Sequence, residues 1–243
     1  RLGPACVASI AYVGPGNVAA NLTAGAQYGY LLVWVLVVAN GMAVLIQFLS
    51  AKLGLVTGHS LPELVGARLG RAPRLLYWAQ AELVAGATDL AEVIGGAVAL
   101  HILFGVPLPI GGLIVGLVSM ALLSVQSRHG QRPFEFVVMG LLAVITLGFG
   151  AGLLFSPVDW GGAAGGLVPR FEGTQTVLLA ASMLGATVMP HAIYLHSSLA
   201  RDRHGLHTGD SLRRLLRTTR WDVLLSLLVA GTVNIAMLLL AAS

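Results

Sequence analysis

Seven long apolar stretches dominate this chain, at roughly residues 2–28, 30–54, 73–104, 107–126, 134–156, 174–200 and 221–243, and most of its charges fall between them. Each is near or above the ~20 residues that cross a hydrocarbon core as a helix. Inside lipid every backbone polar group must be paired within the protein, so stretches of this kind are helices. A transmembrane barrel would instead show ~10-residue segments of alternating polarity, and none is present. Composition supports the same conclusion. The 243 residues are 56% hydrophobic and 10% charged, too few charges to cover a water-facing surface, since soluble domains carry about 25%. Disorder is excluded by the high hydrophobicity, and a collagen-like chain by the aperiodic spacing of the 31 glycines. The expected fold class is an all-α, multi-pass membrane protein.

The basic residues set its orientation. Lys52, Arg68, Arg71 and Arg74 fall in or at the edges of the 2–3 connection, Arg128 and Arg132 in the 4–5 connection, and Arg201, Arg203, Arg213, Arg214, Arg217 and Arg220 in the 6–7 connection. With Arg1 they place 13 of the 14 basic residues on one side, and only Arg170 on the other. Excess Lys and Arg mark the cytoplasmic side, so the N-terminus is expected in the cytoplasm and the seventh span ends outside. The net charge of +4 is thereby explained by topology and needs no nucleic-acid partner. Cys6, the one cysteine, has no partner within the chain for a disulfide.

Two spans are interrupted near their middles, the first by Gly14-Pro15-Gly16-Asn17 and the sixth by Met189-Pro190-His191. Glycine costs about 1 kcal/mol and proline about 3 kcal/mol in a helix interior. Isolated proline kinks are common in membrane helices. Two breaks five helices apart, however, match an inverted five-helix repeat whose first helices are discontinuous. Residues 1–157 are then the first repeat, and 158–243 begin a second whose remaining helices are expected elsewhere in a longer polypeptide. A broken helix presents unpaired carbonyls where its first half ends and unpaired N–H groups where its second begins. The candidate cation ligands are the carbonyls near Ala11, Tyr12 and Ala186, the Asn17 side-chain oxygen and the Met189 sulfur. Mixed oxygen and soft sulfur favours Mn, Fe, Co or Cd over Mg and Ca; packing is the alternative role for a methionine.

These residues carry a resemblance. Ala11-Tyr12-Val13-Gly14-Pro15-Gly16-Asn17 and Met189-Pro190-His191-Ala192-Ile193-Tyr194-Leu195-His196-Ser197 resemble the signatures of the Nramp family of proton-coupled divalent metal transporters. The likeness continues through Gln47-Phe48-Leu49-Ser50-Ala51-Lys52-Leu53-Gly54 and Leu61-Pro62-Glu63-Leu64, and is strongest to bacterial members such as that of Deinococcus. It implies the LeuT-type inverted-repeat fold, with helices 1 and 6 broken, and alternating access. It also implies uptake of Mn2+ or Fe2+ with protons across the plasma membrane. Co2+ and Cd2+ are further expected substrates, and no resident cofactor is expected. One departure matters. The family motif reads Asp-Pro-Gly-Asn, and its Asp is the anionic metal ligand. Here that position is Gly14, which removes the carboxylate and is expected to weaken metal binding. Removing one member of a buried charged pair costs ~3–5 kcal/mol.

The third span carries Glu82, Asp89 and Glu92. On a helix Asp89 lies about 20° and Glu92 about 80° from Glu82, so the three share a face. Intramembrane carboxylates line water paths or pair with cations. The resemblance places Asp89 and Glu92 on the proton pathway, with Glu82 farther along it; pairing with basic residues of further helices is the alternative. His191 suits proton-linked tuning by its ordinary pKa range, and the resemblance puts His191 and His196 in a conserved polar network. The two lie about 140° apart and do not form a zinc-helix pair. His59, His101, His129, His204 and His207 sit in loops or at span ends.

The glycine pairs Gly112/Gly116 and Gly148/Gly152 read as helix-packing positions. The Gly161–Gly166 run reads as a flexible outer loop with no P-loop lysine after it. No motif of an enzyme or nucleotide site is present, so the proton gradient is the expected driving force. Two further readings stay open at this point: a non-transporting membrane sensor or scaffold with the same fold, favoured by Gly14, and a transporter of another substrate.

Overall fold

The computed structural model describes residues 11–129, 131–205 and 209–243. The start of the first span, with Arg1 and Cys6, and also His207, lie outside the described residues, as do the side chains of Arg128, His129, Arg132 and His204. Among the described residues a 3-10 turn, Ala11–Val13, precedes ten α-helices: α1 (Pro15–Tyr28), α2 (Val33–Thr57), α3 (Leu61–Arg68), α4 (Arg71–Phe104), α5 (Leu108–His129), α6 (Gln131–Phe155), α7 (Trp160–Gly165), α8 (Thr174–Thr187), α9 (Pro190–His204) and α10 (Gly209–Ala242). No strand occurs among the described residues.

The core forms where α10 crosses α1 and α2. Ala20, Ala24, Leu32, Leu36, Met183 and Leu238 pack at one end of this crossing. Tyr12, Ala43, Val223, Leu227, Ala230 and Met237 pack toward the other. Small residues make the approach possible. A Cβ on Gly25 would meet the Leu238 carbonyl of α10, and one on Gly54 of α2 would meet the Ser197 carbonyl of α9. Helices in lipid associate through such close packing rather than through hydrophobic exclusion.

The outer helices α4, α5 and α6 are apolar yet barely covered. Leu83 is 74% exposed, Leu154 83% and Phe155 89%. Aqueous solvent would penalise that surface at about 25 cal/mol per Å², whereas a hydrocarbon environment does not. Among the described residues four helical runs, 33–57, 71–104, 174–203 and 209–242, are long and apolar enough to cross a membrane, and α5 and α6 contain shorter apolar segments.

Three features differ from expectation. The 2–3 connection contains the helix α3, started by a reciprocal capping box in which Ser60 and Glu63 each bond the other's backbone N–H. The Gly161–Gly166 run is not a flexible loop. Most of it is the short helix α7, where the Asp159 side chain accepts from the Gly161 N–H. Its end is held because the Trp34 N–H donates to the Gly166 carbonyl at 3.0 Å, and a side chain at Gly166 would strike the Tyr30 carbonyl. Finally, α10 begins at Gly209, twelve residues before the expected span, so Arg213, Arg214, Arg217 and Arg220 lie on its first turns. Leu212, Leu215 and Leu216 dock this extension onto Ala51, Leu55 and Ala200. At 1.5 Å per residue α10 is about 51 Å long, well beyond a ~30 Å hydrocarbon core.

Candidate functional site

The start of α1 and the gap between α8 and α9 face one cavity. Gly14 stands at the N-cap of α1 in an extended conformation, φ −72° and ψ 169°, with Pro15 in the first turn. That backbone suits any residue, so conformation does not demand glycine there. Helix α8 ends at Thr187, and α9 starts at Pro190. Between them Val188 (φ −101°, ψ 78°) and Met189 (φ −89°, ψ 124°) are not helical. Proline at the first helical position sacrifices no intrahelical bond, which is why both helices can begin at one.

The cavity has a volume of about 310 Å³. Gly14, Pro15 and Gly16 contribute from α1, Thr88 and Glu92 from α4, and Ala186, Met189 and Pro190 from the gap. Packing sets this arrangement. Gly16 lies close to Ala186, its would-be Cβ 3.7 Å from the Ala186 methyl. Gly95 has no side chain where Pro15 sits, and a Cβ there would come within 2.6 Å of the Pro15 ring. That close seat brings α4 against the start of α1 and puts Glu92 beside Gly14. A Cβ on Gly14 would lie 3.9 Å from Glu92 Oε1 and 3.6 Å from the Ala11 carbonyl oxygen, both ordinary contacts.

Of the residues singled out from sequence, Gly14, Pro15, Gly16, Ala186, Met189, Pro190 and Glu92 meet on this wall. Asn17 does not line it. Its side chain is fully buried one layer behind, where Nδ2 donates to the Tyr12 carbonyl at 2.5 Å and Oδ1 accepts from Thr187 Oγ1 at 3.4 Å. The Tyr12 carbonyl accepts a second bond from Asn234 Nδ2 at 2.7 Å. Both its lone-pair directions are therefore taken, and it is not open to a cation in this arrangement; the Ala11 carbonyl is the nearer one to Gly14. Asp89 stands outside the cavity wall, about one turn before Glu92 on α4. Glu82 is exposed two turns away on α4. His191 Nδ1 is buried without a hydrogen-bond partner.

A polar network lies behind the cavity; the resemblance placed His196 in such a network, while Asn21, Thr187 and Asn234 were not foreseen. Gln47 Nε2 donates to the Tyr12 hydroxyl at 2.6 Å, and Gln47 Oε1 pairs with His196 Nδ1 at 2.6 Å. Asn21 Nδ2 donates to Asn234 Oδ1 at 2.9 Å. Together Asn17, Asn21 and Asn234, with Thr187, Gln47 and His196, surround Tyr12 from α1, α2, α8, α9 and α10. A sequence signal existed: each is a polar residue inside an apolar span, where an unpaired polar group is costly. No group of three or more His, Cys, Asp and Glu side chains suited to a metal occurs among the described residues, so any ion in the cavity relies on mixed donors.

The apolar helices, close glycine packing and a cavity at a helix interruption define a multi-pass helical membrane protein. Residues 5–243 match the family model for Nramp, described as natural resistance-associated macrophage protein-like. The chain belongs to the Nramp family. It is 65% identical over 242 residues to the divalent metal cation transporter MntH of Mycobacterium tuberculosis, covering 99% of this chain and 56% of that protein. Identity to the MntH of Deinococcus radiodurans is lower, 46% over 242 residues, with 55% of that protein covered. The fold agrees with the manganese transporter of Eremococcus coleocola solved with an aromatic bis-isothiourea compound. The TM-score is 0.87 at 32% identity, over 98% of this chain and 50% of that one. The chain thus spans about half the length of the relatives it matches.

Proposed function

We propose that the protein to which this chain belongs imports divalent transition metal, Mn2+ or Fe2+, together with protons across the plasma membrane, with its N-terminus in the cytoplasm. Co2+ and Cd2+ are further substrates of the same chemistry. The observation that carries this reading is the cavity shared by Gly14, Ala186, Met189 and Glu92. It offers a carbonyl and a thioether at the helix interruption and a carboxylate from α4, a donor set that suits these ions better than Mg2+. The relatives named divalent metal cation transporters support it. Asn17 completes the ligand set when its side chain turns from Tyr12 toward the cavity, and the Ala11 carbonyl joins it from the preceding turn. Asp89, Glu92 and His191 form the proton-linked group beside the metal, and Glu82 lies farther along the same face of α4.

Gly14 sets the strength of the site. Without the aspartate found here in the family motif, the cation faces fewer negative charges, and affinity falls. This favours a second reading, a membrane sensor or scaffold that keeps the fold without transport. One experiment separates them. Full-length protein is reconstituted in liposomes with an inward proton gradient, and Mn2+ uptake is compared with that of Gly14→Asp. The added side chain fits, because its Cβ meets only ordinary contacts. Uptake that rises on substitution supports the importer; a Gly14→Asp protein that neither binds nor moves metal refutes it.

A further inference from the structure

We infer that Glu92 is a direct metal ligand in this protein and supplies the negative charge that Gly14 does not. The inference deepens the importer reading and rests on it. Glu92 Oε1 lies 3.9 Å from the point where a Cβ on Gly14 would stand, and both residues line the same cavity as Met189 and Ala186. The glutamate oxygen therefore reaches the space into which a carboxylate at position 14 would project. With glycine at that position no second anion competes for the space, and a dication in the cavity meets one carboxylate, one thioether and the carbonyl at Ala186. A charged oxygen is the strongest donor that this lining offers a cation.

The approach is built by packing. Glu92 is one turn before Gly95 on α4, and Gly95 is seated on Pro15, the residue after Gly14. The carboxylate is thus anchored at the mouth of the interrupted segment. Neighbouring helical positions of α4 on the cavity wall, Leu83, Val84, Ala87, Thr88 and Ala91, carry no charge, which leaves Glu92 as the one carboxylate lining it among the described residues.

The test is a double-mutant cycle on full-length protein purified in detergent, with Cd2+ and Mn2+ titrated calorimetrically. Glu92→Gln keeps the shape and removes the charge. In the native Gly14 background it weakens both metals by at least about tenfold, because the cation loses its charged ligand. In the Gly14→Asp background the same change costs less than about threefold, because the introduced carboxylate holds the ion. Glu92→Asp, whose carboxylate is one methylene shorter, weakens binding only in the native background. A purely structural role for Glu92 would give equal losses in both backgrounds, and that result overturns the inference. Metal bound by Gly14→Asp but not by the native protein also overturns it while leaving the importer reading standing. If neither protein binds metal, both fall.

Discussion

Replacing Gly95 with alanine tests the packing that positions the site. An alanine Cβ at this position would lie 2.6 Å from Pro15 Cβ and 3.0 Å from its Cγ, and ordinary contact begins near 3.4 Å. The difference, 3.4 − 2.6, means that α4 and the start of α1 must part by about 0.8 Å. The proline ring is rigid and sits in the first turn of α1, so the shift falls on backbone. Overpacking of this kind costs ~1–3 kcal/mol, set against the ~1 kcal/mol that alanine contributes over glycine inside a helix. Gly86, on the same helix, is the internal control, since a Cβ there meets nothing within 4 Å. Gly86→Ala is expected to raise the thermal midpoint in detergent, and Gly95→Ala to lower it or leave it unchanged, a difference of ~1–3 kcal/mol between them. The same displacement moves Glu92 from the cavity, so Cd2+ affinity falls in Gly95→Ala and is unchanged in Gly86→Ala. Calorimetry and scanning fluorimetry on the full-length protein read both quantities. Equal midpoints and equal affinities for the two variants would refute the claim that the Gly95–Pro15 contact holds the site together.

Further outcomes follow from the same structure. Gly54→Ala places a methyl against the Ser197 backbone of α9; a loss of ~1–3 kcal/mol is expected in thermal unfolding, whereas Gly41→Ala on the same helix, open around its Cβ, is neutral or stabilising. Asn234→Leu leaves Asn21 Nδ2 without its acceptor and Tyr12 without one of its two donors, a destabilisation of ~1–3 kcal/mol measurable by the same method. Met189→Ala removes a soft donor, so Cd2+ affinity drops more than Mn2+ affinity in paired titrations. Glu63 is held at a pKa of about 2, below its ordinary 4.5, first by the Arg201 guanidinium and then by the Ser60 N–H. A lowered folded-state pKa contributes stability above the unfolded value that is lost as pH falls through the folded one. The stability difference between native protein and Glu63→Gln is therefore constant above about pH 4.5 and disappears toward pH 2; a difference that persisted at pH 2 would deny the Arg201–Glu63 pairing, 2.8 Å in the structure.

The sequence by itself determined the membrane class, the order of the apolar helices and the position of both proline-led helix starts. It could do so because hydrocarbon admits only internally bonded backbone, so a long apolar run with few charges has one outcome. Span ends were legible to within three residues for the same reason, expected at 28, 54, 104 and 156 and observed at 28, 57, 104 and 155: charges and turn residues cluster where the chain returns to water. The helical start of α10 was not, since Arg213, Arg217 and their neighbours look like a loop until Leu212, Leu215 and Leu216 are seen to dock on Ala51 and Leu55. Nor was the order of the Gly161–Gly166 run, which rests on one bond from Trp34 and contact with Tyr30, residues more than a hundred positions away. Tertiary structure alone decided which candidates share a wall. Asn17 and Glu92 were both marked from sequence, yet Asn17 turns back to the Tyr12 carbonyl while Glu92 is carried to the cavity by the Gly95–Pro15 seat. Helical periodicity fixes the face a residue occupies on its own helix; which neighbour meets that face depends on close approaches between distant glycines, prolines and buried amides, and those are properties of the packed molecule.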